Sequence, residues 1–218
     1  MPENVDMSAT PRPRSLDSLA EDMQPQLGLR ERKKLKTRVA IRRATYRLIA
    51  EQGYDATTVE QIAEAAEVSP STVFRYFPTK EDIVLTDEFD PVIVAALRAR
   101  PAGEPFLESV RHVLVEATRL ILAHDQEETI QRTTLLVQVP ALRARMMQSM
   151  ATSSRNLCQV IAERTGRDEG ELEVRSYAMA ILGAVYEASL YWAERDHKDD
   201  LAELVERSLS AVRDGLRA

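Results

Sequence analysis

The sequence predicts an all-α fold, with a small three-helix unit followed by a larger helical bundle. The 218 residues include only seven glycines, while alanine, leucine, glutamate and arginine are abundant, and these four residue types favour helix. From Leu29 onward, apolar residues recur at helical spacing in stretches that are separated by short segments containing glycine or proline. Hydrophobic residues make up 44% and charged residues 29% of the chain, which is typical of a globular protein.

The chain divides into three predicted segments. Residues 1–27 contain four prolines and no sustained periodicity, which indicates a flexible N-terminal arm. Residues 28–78 are predicted to form the three-helix unit, and residues 79–218 the larger bundle. The sequence has neither an apolar run of about 18 residues nor an apolar signal-peptide core, and Cys158 is its single cysteine. We therefore expect a cytoplasmic protein with no membrane partner and no disulfide.

The net charge of −6 conceals an asymmetry along the chain. Residues 28–80 contain eleven Lys/Arg and six Asp/Glu, a net charge of +5, which leaves −11 for the rest. A basic segment attached to an acidic remainder favours a nucleic-acid-binding part joined to a part that does not bind nucleic acid. A solvated basic helix face is the alternative interpretation.

The basic segment has the layout of a helix-turn-helix. A first helix is predicted over residues 29–52, ending before Gly53. Thr58 and Gln61 have the spacing of a capping box at the start of a second helix. Ser69 then caps a third helix, with Pro70 at its first position, where a missing N–H costs nothing. Two short helices joined by a sharp turn predict the helix-turn-helix motif.

The third helix is predicted to have one buried face and one face that reads DNA. Val73 and Phe77 lie four residues apart and point inward. The opposite arc and its flanks carry Ser71, Thr72, Phe74, Arg75 and Tyr76. Hydroxyls, arginine and an aromatic edge suit the base edges of a major groove. Tyr76, Lys80 and the start of the next helix, capped by Thr79, are expected to contact phosphates.

The stretch TTVEQIAEAAEVSPSTVFRYFPTKEDIV, residues 57–84, resembles the signature of the TetR (tetracycline-repressor-like) family of bacterial transcription regulators. That resemblance implies an all-helical second domain and a DNA-contacting set made of Thr58, Ser69, Ser71, Thr72, Phe74, Arg75, Tyr76 and Lys80. Family members often carry tyrosine at the position of Phe74, so this chain lacks a phosphate hydrogen bond there. The segment FRYFPTKEDIV also resembles a branch described as having an acyl-CoA-like ligand-binding domain.

The second domain is predicted to be a succession of amphipathic helices over residues 80–100, 105–124, 127–139, 141–165, 169–195 and 199–216. The last two carry apolar stripes that would form a four-helix interface between two chains. These stripes consist of Tyr177, Ile181, Ala184, Ala188, Trp192, Leu201, Leu204, Val205, Leu209 and Val212. Packing of the same stripes within one chain is the alternative, and the family resemblance favours a homodimer.

An enclosed ligand site in the middle helices is implied by the resemblance. The candidate lining residues are Phe89, Phe106, Leu114, Thr118, Leu136, Gln138, Met146, Met147, Met150, Cys158, Met179, Leu182 and Tyr186. The neighbouring methionines would form an adaptable apolar wall, and Thr118 and Gln138 would orient a ligand. Ordinary core packing is the alternative interpretation for each of these residues.

The sequence shows no catalytic or metal-binding constellation, and we expect a protein that is not an enzyme and needs no cofactor. His112, His124 and His197 are too scattered to form a metal site, and glycine-rich phosphate loops and nucleophile elbows are absent from the sequence. The favoured hypothesis is a ligand-responsive repressor that binds an inverted-repeat operator as a homodimer and is released by an apolar or amphipathic small molecule. The alternatives are a helical protein that binds an anionic cofactor such as coenzyme A, and a regulator controlled by a protein partner.

Overall fold

The computed structural model of the chain describes residues 28–86 and 90–215. All regular structure in these ranges is helical, which confirms the predicted all-α class. The helices are α1 Leu29–Gln52, α2 Val59–Ala65, α3 Pro70–Tyr76, α4 Lys80–Leu85, α5 Asp90–Ala99, α6 Phe106–Gln138, α7 Pro140–Thr165, α8 Leu172–Glu194 and α9 Leu201–Asp214. The predicted N-terminal arm, residues 1–27, and the ligand candidate Phe89 lie outside the described residues.

The predicted boundaries of the first three helices are confirmed. Helix α1 ends at Gln52, where Gly53 adopts a φ of 87°, a conformation that favours glycine. Thr58 and Gln61 form both hydrogen bonds of the capping box before α2. Ser69 caps α3 and Pro70 occupies its first turn. Thr79 caps α4, and Asp82 completes a further capping box there. Local side-chain chemistry therefore accounts for where α2, α3 and α4 begin.

The core of the small unit joins its three helices to α4. It consists of the buried side chains Ile41 from α1, Ile62 and Ala63 from α2, Val73 and Phe77 from α3 and the segment after it, and Ile83 from α4. The alanine lets α2 approach its neighbours closely. This core determines which face of α3 points to solvent.

Three of the predicted helices in the second domain, 80–100, 105–124 and 127–139, were wrong. The span 80–100 is two helices, because Thr86 adopts an extended conformation with φ −77° and ψ 131° and ends α4. The spans 105–124 and 127–139 form the continuous helix α6, and the predicted break appears as a kink at Asp125, with φ −134° and ψ 40°. The predicted helix 141–165 is present and begins one residue earlier, and the predicted helices 169–195 and 199–216 are present with shorter bounds.

The large core of the second domain is built from α5 to α9. Helix α9 packs against both α8 and α6, and Trp192 fastens the turn between α8 and α9 by donating from Nε1 to the Asp199 carbonyl over 2.8 Å. Arg164 on α7 holds the segment between α5 and α6, donating to the Leu97 carbonyl over 3.1 Å and to the Pro101 carbonyl over 2.9 Å.

A third apolar cluster connects the two units. Tyr46 and Ile49 from α1 and Val84 from α4 pack there against Leu135 and Leu136 from α6 and Leu142 from α7. Within it, the Tyr46 hydroxyl donates to the Val84 carbonyl over 2.8 Å. The small unit therefore rests on the junction of α6 and α7 through a buried contact.

Candidate nucleic-acid interface

Helix α3 has the two faces that the sequence predicts. Val73 and Phe77 are 0% and 2% exposed and anchor the helix in the core of the small unit. Phe74 is 50% exposed, and Ser71 and Arg75 are also exposed. An exposed phenyl ring lies against no core, so its surface is available for contact with a partner such as the methyl group of thymine.

The hydroxyls at the start of α3 form a connected group. The Ser69 Oγ accepts the Thr72 N–H over 3.2 Å, which is the helix cap. The same Oγ lies 2.9 Å from the Ser71 Oγ and 2.9 Å from the Thr72 Oγ1. Three of the predicted DNA-contacting residues are thus held side by side at the surface, where their hydroxyl hydrogens can rotate toward an acceptor.

Thr58 lies at the beginning of α2 and is held by a small side-chain network. Its Oγ1 accepts the Gln61 N–H over 3.2 Å, and the Gln61 Oε1 accepts the Thr58 N–H over 2.9 Å. Gln52, at the end of α1, donates from Nε2 to the Gln61 Oε1 over 2.9 Å. The network orients the exposed start of α2, where free N–H groups favour an anion.

Arg75 and Tyr76 are neighbours at the C-terminal end of α3. The Arg75 guanidinium carbon lies 5.2 Å from the centroid of the Tyr76 ring, within the range of a cation–π contact. Tyr76 is half-buried and packs on the core of the small unit, while Arg75 is exposed. The Tyr76 ring therefore supports the Arg75 guanidinium, which remains able to pair with a base edge or a phosphate.

Lys80 is placed differently from the sequence prediction of a simple phosphate contact. Its Nζ donates to the Tyr54 carbonyl over 2.7 Å and to the Thr57 carbonyl over 2.9 Å. It also lies 3.9 Å from the centroid of the Tyr54 ring. Two of the three ammonium N–H groups therefore hold the loop between α1 and α2, and we call this set of contacts the Lys80 clamp. This role joins positions 23 and 26 residues apart, and no local sequence pattern signals it.

The Tyr54 side chain extends the same clamp to α4. Its hydroxyl donates to the Glu81 Oε1 over 2.7 Å. Burial and the hydrogen bond to Glu81 raise the pKa of Tyr54 above its ordinary value. Burial opposes the ionisation of Glu81, but the hydrogen bonds from Tyr54 and the backbone prevail and lower its pKa. The pair is thus a neutral phenol donating to a carboxylate at neutral pH.

A polar joint lies between the two units, and the sequence analysis did not identify it. Arg42 on α1 is buried and pairs with Glu128 over 2.9 Å and with Asp125 over 4.0 Å. These two carboxylates lie at and just after the kink in α6. Gln131 donates from Nε2 to the Tyr46 carbonyl over 2.9 Å. The kink of α6 is therefore connected directly to α1, the helix that contributes Ile41 to the core of the small unit.

The polar joint borders a small cleft. Its lining residues are Arg42, Tyr46, Thr86, Ile121, Asp125, Glu128, Thr129 and Arg132. The space open to water there is about 20 Å³, enough for one or two water molecules. None of the twelve predicted ligand residues that the structure describes lines this cleft. It is too small for a ligand of the predicted class.

The structure distributes the predicted ligand residues over several environments. Phe106, Leu114, Cys158 and Leu182 belong to the large core, whereas Leu136 and Met146 belong to the cluster between the units. Met150 is buried and Tyr186 is half-buried. Met147, Met179 and Gln138 are exposed. The half-buried Thr118 donates its hydroxyl to the Leu114 carbonyl of its own helix over 2.8 Å.

The apolar stripes assigned to a dimer interface pack within the single chain. The buried members are Ile181, Ala184, Ala188, Trp192, Leu201, Leu204, Val205 and Leu209, and Tyr177 and Val212 pack against the same core. The alternative left open by the sequence therefore accounts for these side chains, because a second chain cannot reach residues that are already buried.

The described residues contain neither a membrane-spanning helix nor a metal-binding cluster. None of the helices described is long and apolar enough to cross a membrane. No group of three or more His, Cys, Asp and Glu side chains with the arrangement of a metal site was found in residues 28–86 and 90–215.

The exposed hydroxyls and arginine on the second helix of a helix-turn-helix define a DNA-binding protein of that class. Residues 41–86 match the family model of bacterial regulatory proteins of the tetR family, and residues 104–217 match the model of the MftR C-terminal domain. The chain belongs to the TetR family, and it is a DNA-binding transcription regulator rather than an enzyme.

Individual relatives agree with this assignment. The HTH-type transcriptional regulator TcmR of Streptomyces glaucescens is 34% identical over 169 residues, which is 72% of this chain and 73% of that protein. The fatty acid degradation regulator FadR from Bacillus halodurans superposes with a TM-score of 0.56 at 26% identity, covering 83% of this chain and 96% of that one. FadR from Thermus thermophilus, solved in complex with lauroyl-CoA, has a TM-score of 0.54 at 23% identity, covering 83% and 95%.

Proposed function

We propose that the chain is a repressor that binds an inverted-repeat operator as a homodimer and is released by an apolar or amphipathic small molecule. The observation that carries the proposal is the exposed face of α3, where Ser71, Phe74 and Arg75 point away from a core that holds Val73 and Phe77. Family membership supports DNA binding by this face. Two copies of such a helix, related by a two-fold axis, match two half-sites one helical turn apart.

The operator experiment compares Arg75→Ala with Arg119→Ala. Both arginines are exposed, but Arg119 lies on α6 of the second domain and pairs with Glu116 of the same helix. The probes are inverted-repeat fragments from the region upstream of the gene and a random duplex. We expect Arg75→Ala to lose about 1–3 kcal/mol of operator binding and to discriminate less among base substitutions. Equal binding by the two variants would remove α3 as the reading helix.

The homodimer is proposed to form through the exposed face of α8. Leu172 and Met179 are 74% and 39% exposed and lie seven residues apart on one face of this helix. One turn after Met179 on the same face, Gly183 borders open space, since a Cβ there would meet no atom within 4 Å. Large apolar side chains around a small residue permit close approach of a second helix.

The oligomeric state tests the interface. In sedimentation velocity we expect the parent chain to be a dimer and Met179→Glu to be a monomer, because a buried unpaired carboxylate opposes association. Ala123→Glu, an exposed site on α6, is the matched control and should remain dimeric. A Met179→Glu dimer as stable as the control would place the interface elsewhere.

The effector is proposed to be an acyl-CoA or a related amphiphile. The lauroyl-CoA of the T. thermophilus relative supports this class, as does the apolar core between α6, α7 and α8 that contains Leu114, Cys158 and Leu182. The cleft at the joint is too small for such a molecule, so binding requires the bundle to open. A ligand that favours the opened form shifts the population away from the DNA-binding form by its difference in affinity.

The polar joint is proposed to couple this population shift to α1 and α4, the helices that share the core of the small unit with the DNA-reading helix α3. Arg42 pairs with Glu128 beside the kink of α6, and Arg145 on α7 donates to the Asp82 Oδ1 over 2.7 Å at the start of α4. A movement of α6 or α7 therefore acts on both α1 and α4. We expect Glu128→Gln to change the acyl-CoA concentration for half release several-fold without changing base preference.

The effector experiment titrates operator complexes with lauroyl-CoA, with coenzyme A alone and with dodecanoate. Release by lauroyl-CoA but not by coenzyme A supports an amphipathic effector that is recognised through its chain. Tight binding of coenzyme A itself together with no operator binding would favour the anionic-cofactor alternative. Operator binding that no member of the panel releases would favour control by a protein partner.

A further inference from the structure

The first ten residues of α1 form a basic helical extension ahead of the helix-turn-helix. Residues 29–38 contain six Lys/Arg and one Glu, a net charge of +5, which equals the net charge of the whole segment 28–80. The match to the TetR-family model begins only at residue 41. The positive charge of the small unit is therefore concentrated in a segment outside the motif that reads bases.

Core packing does not explain this extension. Leu29 is 74% exposed, and Arg30, Arg32, Lys33 and Lys36 are exposed as well. The buried residues of α1 begin at Ile41. A helix without a buried face gains little from tertiary packing, so its persistence here needs another source of stability.

The extension also carries unbalanced charge. Arg32 and Lys36 lie four residues apart, a spacing at which like charges destabilise a helix. Glu31 pairs with Lys34 over 2.7 Å. Among the described residues, no carboxylate forms an ion pair with Arg30, Arg32, Lys33 or Lys36. An external row of negative charges would relieve the repulsion.

The position of the extension points to the source of those charges. The Arg38 guanidinium carbon lies 5.2 Å from the centroid of the Phe77 ring, and Phe77 directly follows α3. The base of the extension is thus fixed beside the C-terminal end of the reading helix. From there to Leu29, nine residues of helix extend about 14 Å. Double-stranded DNA carries a charge every ~1.7 Å of its axis, so this length spans several phosphates.

We infer that residues 29–38 are a second DNA contact, which grips the phosphate backbone flanking each half-site without reading its sequence. This inference rests on the proposed operator binding. The exposed positions of this segment carry mainly lysine and arginine, and its one short hydroxyl, Thr37, donates to the Lys33 carbonyl over 3.0 Å. Such cations suit phosphates rather than base edges. Each protomer then contributes two contacts of different kinds: α3 supplies base preference, and the extension supplies affinity that depends on salt.

The test compares two variants of equal charge. One carries Arg30→Ala, Arg32→Ala, Lys33→Ala and Lys36→Ala, and alanine preserves helix propensity. The control carries Arg98→Ala, Arg119→Ala, Arg155→Ala and Lys198→Ala, which are exposed cations of the second domain. Operator affinity is measured from low to high salt, on fragments with natural flanks and on fragments trimmed to the inverted repeat. Circular dichroism establishes that both variants are folded.

We expect the extension variant to lower the slope of log affinity against log salt by at least about two units, because each of the two protomers loses at least one phosphate contact. The control should keep the parent slope. Base preference should be unchanged, and trimming the flanks should weaken the parent but not the extension variant. Equal slopes for the two variants, with specific binding by the parent, would overturn this inference alone. A parent that shows no specific binding would instead overturn the proposed function.

A membrane surface is the other anionic partner that such a helix could meet. The same proteins are therefore sedimented with vesicles of phosphatidylcholine and phosphatidylglycerol. Loss of vesicle binding in the extension variant, combined with an unchanged DNA salt slope, would overturn the assignment to DNA.

Discussion

Replacing Lys80 with methionine distinguishes a structural clamp from a phosphate contact. Methionine keeps most of the length of the side chain but removes the ammonium that donates to the Tyr54 and Thr57 carbonyls. A hydrogen bond from a charged group contributes about 1.5–3 kcal/mol, so two amount to roughly 3 kcal/mol at the lower limit. Lys80 is only half-buried, and water can replace part of this interaction. We therefore expect a loss of about 2 kcal/mol of folding free energy.

For a chain of this size, 2 kcal/mol corresponds to a decrease of roughly 4–8 °C in Tm. The assay is thermal unfolding followed by circular dichroism, with Lys198→Met as the control. Lys198 is 76% exposed in its side chain and pairs only with the exposed Asp196 among the described residues, so its loss should change the Tm by little.

The opposite result would refute the clamp. If Lys80→Met unfolds at the same temperature as Lys198→Met but lowers the salt slope of operator binding by about two units per dimer, Lys80 contacts phosphate in the complex. If the clamp stays intact in the DNA-bound form, the third ammonium N–H can still make a weaker phosphate contact. A change in salt slope alone therefore does not exclude the clamp, and the Tm decides whether Lys80 has the structural role.

Three further substitutions test other parts of the structure. Phe74→Tyr should tighten operator binding roughly two- to tenfold in fluorescence anisotropy, because a hydroxyl on this exposed ring can donate to a phosphate; weaker binding would contradict the assignment. Leu209→Ala, at a side chain that is 1% exposed, should cost about 2–5 kcal/mol in urea unfolding, whereas a loss below 1 kcal/mol would contradict its place in the core. The hydrogen bond from Arg100, aided by one from Ser109, lowers the pKa of Glu104 to about 2 from its ordinary 4.5. A lowered folded-state pKa stabilises the protein above the ordinary value, and this contribution is lost as the pH falls from about 5 to about 2. Glu104→Gln should therefore flatten the acid dependence of the Tm over that range, and an unchanged dependence would refute the assignment.

The reading surface could be predicted largely from sequence because its determinants are local. Ser69 caps a helix three residues away, and Val73 and Phe77 share a face by helical periodicity alone. The same local rules identified the capping box at Thr58 and the cap at Thr79. They failed at residues 80–100, where an extended Thr86 ends α4 within a stretch of continuous helical pattern.

The dimer and ligand assignments were less predictable from sequence. An apolar stripe on α8 or α9 is equally suited to a neighbouring helix of the same chain and to a second chain. The structure buries Ile181 and Leu209 against the chain's own core and leaves Met179 and Tyr191 exposed. The periodicity of a stripe indicates that a face is buried, but it does not identify the partner.

The sequence by itself determined the helical class, the starts of α2, α3 and α4 and the exposed face of α3. Each of these depends on residues within about four positions of one another, where the backbone fixes the geometry. Only the tertiary structure decided that Lys80 clamps Tyr54, that Arg42 pairs with Glu128 and that the stripes of α8 and α9 face inward. Long side chains and apolar faces accept many partners, and the partner is selected by which surfaces the whole chain brings together. The Arg42–Glu128 pair joins residues 86 positions apart, a separation at which sequence pattern carries no information about contact.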